Sequence, residues 1–523
     1  MTGKFFIDVE NSRRSKKSSG VFFIEGDLVS KIIRAALAQM EIIPGNPEKN
    51  AAKILKYIEQ AKSHNADMIF LPNYPIAGEF SGYTEGQNPF AEECREFEHE
   101  ILAAADKKIR IILGDNETIK SENDPLIYVN AVGIQNQGKT FFVFNGESKI
   151  FSPLGQLVLT LPSFEESFQI FELTLEPSFS CKKIFGDSNL PNQKNPVKDQ
   201  RAKIYNTLFY GTKKFLEQIK VNRVVIGVSG GIDSAIAAAL YSQILGSENV
   251  LLVNMPSKFN SDTTKNLAQK LAENLGCRYE VVPIQESVDL SVNQFEKIPR
   301  LDVSGFVKEN IQARDRGSRI LAGIAAAFGG VFTCNANKTE LTIGYATLYG
   351  DCAGFFAATA DLWKFQVYDL ARYMNEEIFH HEVIPQGIID IIPSAELSEA
   401  QNVDEGKGDP LHYDYHDYLF RAFVESQKTP SDILHYYSEG NLESQIGCKS
   451  GLVKKYFPTA KEFVEDLERW WNRFRGLAVA KRLQAPPLLA ICDRPFGFPE
   501  SQNEIYYTRE YRKLKSKLLE GNS

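Results

Sequence analysis

Six consecutive residues, Ser229, Gly230, Gly231, Ile232, Asp233 and Ser234, carry the sharpest chemical signal in the chain. They follow an apolar run over 224–228 and open a stretch that reads as a helix over 233–245. The two glycines let backbone approach an anion with no Cβ in the way. Free N–H groups and the helix dipole favour phosphate at such a helix start. Ser229 and Ser234 add hydroxyl donors. The GxxxxGK[ST] and GxGxxG patterns are absent here, which disfavours a Walker loop and a dinucleotide-binding loop. The alternative is a glycine-rich strand-to-helix turn with no ligand.

The elements around this loop read as an alternation of strand and helix. Residues 250–254 and 279–283 are strand-like, and 262–275 is helical. Strands separated by amphipathic helices imply a parallel sheet with right-handed crossovers, with ligands at the carboxyl ends of the strands. A first globular stretch begins at Ile32. Residues 35–42 read as a strand, and Asn46 and Pro47 open a helix with Ala51, Ile54, Leu55, Ile58 and Ala61 on one face. Further strands are expected over 67–71, 110–114, 129–134 and 139–144. Two more, over 147–151 and 156–160, flank a turn at 153–155. Residues 176–200 are rich in Pro, Asn, Lys and Ser and read as a linker. The basic stretch over 12–20 reads as a hairpin or mobile loop, with anion binding as the alternative.

Composition narrows the function classes. The chain has 523 residues, 43% hydrophobic and 24% charged, an ordinary globular balance. A net charge of −8 disfavours a broad nucleic-acid surface. No apolar stretch approaches the ~20 residues that cross a bilayer. Asp8 and Glu10 stand where a signal peptide would be apolar. The 7 cysteines are scattered without a CxxC pair. That argues against a disulfide framework or structural zinc and fits a reducing cytoplasm.

The glycine loop resembles the pyrophosphate loop of the N-type ATP pyrophosphatases, which cleave ATP between its α- and β-phosphates. Five downstream motifs, in order, resemble NAD synthetase within that family. They are Glu309-Asn310-Ile311-Gln312-Ala313-Arg314-Asp315-Arg316, Asn335-Ala336-Asn337-Lys338-Thr339-Glu340, the segment 344–351, Asp361-Leu362-Trp363-Lys364 with Gln366-Val367-Tyr368, and Pro393-Ser394-Ala395-Glu396-Leu397. Near the end, Lys481-Arg482, Gln484, Pro486 and Phe496-Gly497 resemble its tail motifs. The resemblance covers essentially all of 201–500.

It implies that Asp233 and Glu340 bind Mg²⁺, and that Lys364 steadies phosphate charge as pyrophosphate leaves. Ser229, Gly230, Gly231, Ser234 and Ser394, with Asp233 and Lys364, would bind ATP. Asn310, Arg314 and Asp351 would contact deamido-NAD. The reaction implied is amidation of deamido-NAD to NAD through an acyl-adenylate, with AMP and pyrophosphate released. Ala336 replaces a usual glycine, so strain is expected there if the position needs a positive φ. Phe365 stands where a threonine usually follows the lysine. The segment His412-Tyr413-Asp414-Tyr415-His416 reads as loop or core rather than a metal site.

The first region resembles the nitrilase-like glutamine amidase domain of glutamine-dependent NAD synthetases. The resemblance rests on Ala35-Ala36-Leu37-Ala38-Gln39, on Ala66-Asp67-Met68-Ile69-Phe70-Leu71-Pro72 and on residues 127–171. That amidase uses a glutamate base, a cysteine nucleophile and a lysine. Asn73 stands at the glutamate position, and an amide cannot take a thiol's proton. Residues 80–126 hold no match to the lysine and cysteine segments. Cys94 and Cys181 read as structural, and Glu79 as no substitute for the lost glutamate.

The expectation is therefore an α/β protein of two parts. Residues 1–175 form a shortened, degenerate nitrilase-like sandwich, 176–200 a linker, and 201–523 a Rossmann-like parallel sheet of the ATP pyrophosphatase type. The enzyme is expected to be cytoplasmic and a homodimer or larger, with no nucleic-acid or membrane partner. It would use ATP, Mg²⁺ and free ammonia. The alternatives are a glutamine-dependent enzyme with a non-standard or partner-supplied glutaminase, and a non-catalytic nucleotide-binding scaffold.

Overall fold

The computed structural model describes residues 20–23, 32–79, 88–106, 108–113, 125–174, 179–186, 199–497 and 505–520. The basic stretch expected as a loop over 12–20 lies outside them except for Gly20. The chain divides into two units, one of 1–137 with 141–199 and one of 138–140 with 200–523.

The elements of the first unit are, in chain order, β1 (Gly20–Phe23), β2 (Ile32–Gln39), α1 (Pro47–Ser63), β3 (Met68–Phe70), α2 (Pro89–Ala104), β4 (Arg110–Ile112), β5 (Leu126–Val129), β6 (Val132–Gln137), β7 (Thr140–Asn145), β8 (Lys149–Phe151), β9 (Leu157–Thr160), β10 (Ser167–Thr174) and β11 (Ser180–Gly186). One sheet has the order β1-β5-β8-β9 and another β11-β10-β2-β3-β4. Ala35, Leu37, Met68 and Phe70 from the second sheet share a core with Ile127, Val129, Ile150 and Leu159 from the first. Alternate residues of β2, Ala36 and Ala38, pack with Ile54 and Ile58 of α1 and with Ile101 of α2. A strand's period of two thus feeds two cores, one between the sheets and one under the helices. Helix α1 starts where expected. The Asn46 side chain accepts from the Lys49 amide at 3.2 Å, and Pro47 fills a first-turn position that needs no N–H.

Strand β11 lies inside the segment expected as linker and pairs antiparallel with β10 from Gln169↔Gly186 to Thr174↔Ser180. Its side chains alternate between exposed and half-buried positions, so it lacks the apolar run that marks a buried strand. It is held as an edge strand by backbone pairing that composition does not show.

The second unit begins with α3 (Gln200–Ile219), β12 (Val224–Gly227), α4 (Ile232–Leu245), β13 (Val250–Asn254), α5 (Asp262–Leu275), β14 (Arg278–Val281), α6 (Gln285–Phe295), α7 (Gly305–Arg314), α8 (Ala322–Phe328), β15 (Val331–Phe332), α9 (Lys338–Ile343) and α10 (Lys364–Tyr373). It continues through α11 (Gln386–Asp390), α12 (Tyr413–Val424), α13 (Pro430–Ser438), α14 (Leu442–Ile446), α15 (Leu452–Tyr456) and α16 (Ala460–Arg475). The sheet order is β14-β13-β12-β15, all parallel. Strands β12 and β13 are apolar almost throughout because helices cover both faces of the sheet. A second core gathers Phe420, Phe423, Phe463, Trp470 and Trp471 from α12 and α16 with Trp363. Among the described residues no helix is long and apolar enough to cross a membrane.

Candidate active site

The glycine loop leaves the carboxyl end of β12, a central strand, and enters α4. Val228, the first residue beyond the strand, donates its amide to the Val253 carbonyl at 2.9 Å. Gly230 has φ +85°, and a Cβ there would lie 2.2 Å from the Thr264 carbonyl oxygen. The glycine is required both for its backbone angle and for this close approach to α5. The loop is braced by its serines. The Gly231 amide donates to Ser229 Oγ at 3.2 Å, and Ser234 Oγ takes the Ser229 amide at 3.3 Å and donates to the Gly231 carbonyl at 3.0 Å.

Asp233, one residue into α4, meets two side chains from elsewhere in the chain. Lys364 Nζ lies 2.6 Å from Asp233 Oδ2 and 3.1 Å from Glu340 Oε1. Asn337 caps α9 by accepting the Glu340 amide at 3.0 Å, and its amide group donates to Asp233 Oδ1 at 2.9 Å. Lys364 is nearly buried. Burial opposes its charge, but Asp233 and Glu340 outweigh it and hold its pKa well above the ordinary value. Burial pushes Glu340 up to about 7, partly offset by Lys364.

The first turn of α10 is fixed from below. The Lys364 amide donates to Thr339 Oγ1 at 3.0 Å, and the Phe365 amide donates to Asp417 Oδ2 at 2.7 Å. Asp417 also takes the Thr339 hydroxyl at 2.5 Å. Two carboxylates beside one lysine make a hard-oxygen donor set of the kind Mg²⁺ takes. Among the described residues no group of three or more His, Cys, Asp or Glu is poised to hold a metal. Two carboxylates would suit an ion that keeps water and phosphate oxygens in the rest of its shell, as Mg²⁺ does.

The other expected residues fall into two places. Asn310 Oδ1 accepts the Thr347 hydroxyl at 2.9 Å, Asp351 Oδ1 accepts the Thr347 amide at 2.7 Å, and Arg314 Nε donates to the Leu348 carbonyl at 3.2 Å. The structure thus brings Asn310, Arg314 and Asp351 together around 347–348. Ser394 Oγ donates to the Gln401 carbonyl at 2.6 Å, in a loop whose Ala395 amide reaches Asp409 Oδ1 at 3.1 Å.

Tyr413 was missed as a site residue. Its hydroxyl lies 3.2 Å from Glu340 Oε1 and 3.0 Å from Asp409 Oδ2, and its ring centroid is 5.1 Å from Lys364 Nζ. The segment 412–416 opens helix α12 rather than forming a loop. His416 is a core residue there. Its Nδ1 accepts the His412 amide at 2.8 Å and its Nε2 faces Asp466 at 3.0 Å. Two departures from the family pattern have a clear structural setting. Ala336 is not among the positive-φ residues. Phe365 stacks on Tyr418 at 5.3 Å, within the α10–α12 packing.

In the first unit, Asn73 follows β3, and its Oδ1 is buried and accepts no hydrogen bond among the described residues. The Glu79 amide donates to Gln135 Oε1 at 2.8 Å, and burial pushes the Glu79 carboxyl up to about 7. Burial raises the Cys94 thiol, helped by Glu93, and takes Cys181 to about 11.

A parallel sheet with a glycine loop at its centre, two carboxylates and a lysine defines a nucleotide-binding α/β unit, preceded here by a two-sheet α/β sandwich. Residues 204–446 match the NAD synthase family model, and residues 34–141 match the carbon-nitrogen hydrolase model. A glutamine-dependent NAD(+) synthetase of Aquifex aeolicus is 30% identical over 419 residues, covering 70% of this chain and 72% of that protein. One of Synechocystis sp. is 33% identical over 389 residues, covering 73% of this chain. The match spans 61% of that relative's own length. The crystal structure of a glutamine-dependent NAD(+) synthetase from Cytophaga hutchinsonii has the same fold, with TM-score 0.65 at 15% identity over 93% of this chain and 100% of that one. The chain belongs to the NAD synthase family, with a nitrilase-like carbon-nitrogen hydrolase domain ahead of the Rossmann-like synthase domain.

These relatives correct one expectation. They are named as glutamine-dependent, which overturns the reading of an enzyme confined to free ammonia behind a disarmed amidase. That reading rested on Asn73 and on motifs missing from 80–126. A motif absent from one stretch does not fix what the fold assembles from distant segments.

Proposed function

We propose that the chain amidates deamido-NAD to NAD, using Mg·ATP and nitrogen drawn from glutamine. The observation that carries this reading is Lys364 held between Asp233 and Glu340 beside a braced glycine loop. The substrate carboxylate attacks the α-phosphorus of ATP and pyrophosphate leaves. Ammonia then displaces AMP from the acyl-adenylate, giving the carboxamide and releasing a proton. Ser229, Gly230, Gly231 and Ser234 hold the leaving phosphates, and Ser394 contacts the nucleotide. Lys364 follows the charge that grows on the leaving group. Asp233 and Glu340 are the residues that would hold Mg²⁺, which neutralises phosphate charge when bound. Asn310, Arg314 and Asp351 orient deamido-NAD.

Glutamine nitrogen reaches this site by one of two routes, a non-standard glutaminase in the first unit or a separate glutaminase partner. The test is NAD formation from deamido-NAD and Mg·ATP with glutamine as nitrogen source, with and without an added glutaminase. NAD with glutamine alone assigns the chemistry to the first unit. NAD only with the added enzyme shows that the first unit does not release the nitrogen and that the synthase domain takes ammonia made by another protein. No NAD in either case, with ATP still bound, overturns the reading in favour of a nucleotide-binding scaffold.

A further inference from the structure

We infer that Glu396 is a positioning residue that sets the phosphate loop through helix α5, an inference that rests on the ATP site proposed above. Glu396 is 3% exposed and holds φ 46°, a left-handed angle that a residue with a Cβ adopts only when its surroundings impose it. Its carboxylate takes the Thr264 hydroxyl at 2.6 Å, the Ser261 amide at 3.2 Å and the Asn260 side-chain amide at 3.3 Å. Ser261 is the N-cap of α5 and accepts the Thr264 amide at 3.2 Å. An anion at that end of the helix also meets its favourable dipole.

The loop that carries Glu396 is itself anchored. The Glu396 amide donates to Ser394 Oγ at 3.3 Å, and Gln312 Nε2 donates to the Leu397 carbonyl at 2.9 Å. Arg316 backs the cluster from the other side, with Nη2 on Asn260 Oδ1 at 3.1 Å and Nε on the Met255 carbonyl at 2.9 Å.

The consequence lies at Thr264. Its hydroxyl is tied to Glu396, and its carbonyl is the surface against which Gly230 lies with no room for a Cβ. The first turn of α5 is therefore the back wall of the phosphate loop, and Glu396 holds that wall in place. The same side chain joins the Ser394 loop to the Ser229 loop, so two parts of the nucleotide site, 165 residues apart in sequence (394 − 229), move together. Glu396 touches no reacting atom in this scheme. It acts on the nucleotide through Thr264 and Gly230.

The test measures binding of an ATP analogue with a methylene between the α- and β-phosphorus, and binding of deamido-NAD, to Glu396→Gln, Glu396→Asp and Thr264→Val. Glutamine cannot accept on both sides of the group, so the analogue weakens by roughly 10- to 100-fold, the scale of lost hydrogen bonds to a charged group. Deamido-NAD binding changes by less than about twofold, as for an independent site. Glu396→Asp keeps both oxygens and recovers part of the loss. Thr264→Val, which leaves Glu396 in place, weakens the analogue in the same direction, and amide hydrogen exchange across 229–234 becomes faster. The inference is overturned if melting temperature falls while analogue binding is unchanged, or if both ligands weaken equally. Wild-type protein that binds no analogue overturns the ATP-site reading itself, and this inference with it.

Discussion

Lys364 is a buried cation whose charge is bought by two carboxylates, Asp233 at 2.6 Å and Glu340 at 3.1 Å. In the proposed mechanism Lys364 would pass from carboxylate to phosphate, leaving Asp233 and Glu340 as the residues that would hold a divalent ion. Lys364→Met should lower kcat for AMP release by about 10²- to 10³-fold, the scale for removing one preorganised transition-state donor. A rate within about threefold of normal would remove Lys364 from the mechanism. The carboxylates and the lysine were legible because each sits inside a short motif of the resemblance. Tyr413 and Asp409 were not, and Glu396 stood inside such a motif with no role attached to it. Tyr413 lies 73 residues beyond Glu340 (413 − 340), in a segment whose paired histidines drew attention to themselves. Nothing local to 409–413 says that the tyrosine ring faces Lys364. That follows only from the packing of α12 against α9 and α10.

At the scale of elements, helix starts do most of the positioning. Ser261 caps α5, Asn337 caps α9, and Asp417 and Thr339 receive the first amides of α10. The α9 cap does double duty, since Asn337 also donates to Asp233. Asn337→Ala should lose about 1–2 kcal/mol of stability from the cap, read by urea or thermal unfolding. It should also raise KM for Mg·ATP, because one oxygen of Asp233 loses the donor that orients it. A stability loss with KM unchanged would show that the cap is structural only. The strand, glycine loop and helix around 224–245 were readable because the signals are contiguous: an apolar run, two glycines, then a helix. Strand β11 was unreadable for the opposite reason. It pairs through its backbone at an edge, where polar side chains are tolerated.

At the scale of the whole molecule, the proposed use of glutamine requires a nucleophile that attacks its side-chain amide. A cysteine nucleophile must reach the thiolate, and activated cysteines have lowered pKa values. All 7 cysteines of this chain are free, and each thiol stands above its ordinary value with burial as the leading cause. Only Cys94 and Cys181 belong to the unit that matches the carbon-nitrogen hydrolases, which spans 1–137 and 141–199. Cys94 packs with Ile54, Ile101 and Leu113 in the core under the helices, and Cys181 lies in the edge strand β11. Neither has a cationic neighbour that favours its thiolate as strongly as burial disfavours it. The double variant Cys94→Ser, Cys181→Ser should therefore leave the glutamine-supported rate of NAD formation within about twofold of wild type, as expected for sites outside the chemistry. An unchanged rate with glutamine alone would point to a nucleophile other than cysteine in the first unit. Loss of that rate, with the rate from added ammonium intact, would identify one of these two thiols as the nucleophile. It would also mean that the bound substrate lowers a thiol pKa that burial raises in the free protein.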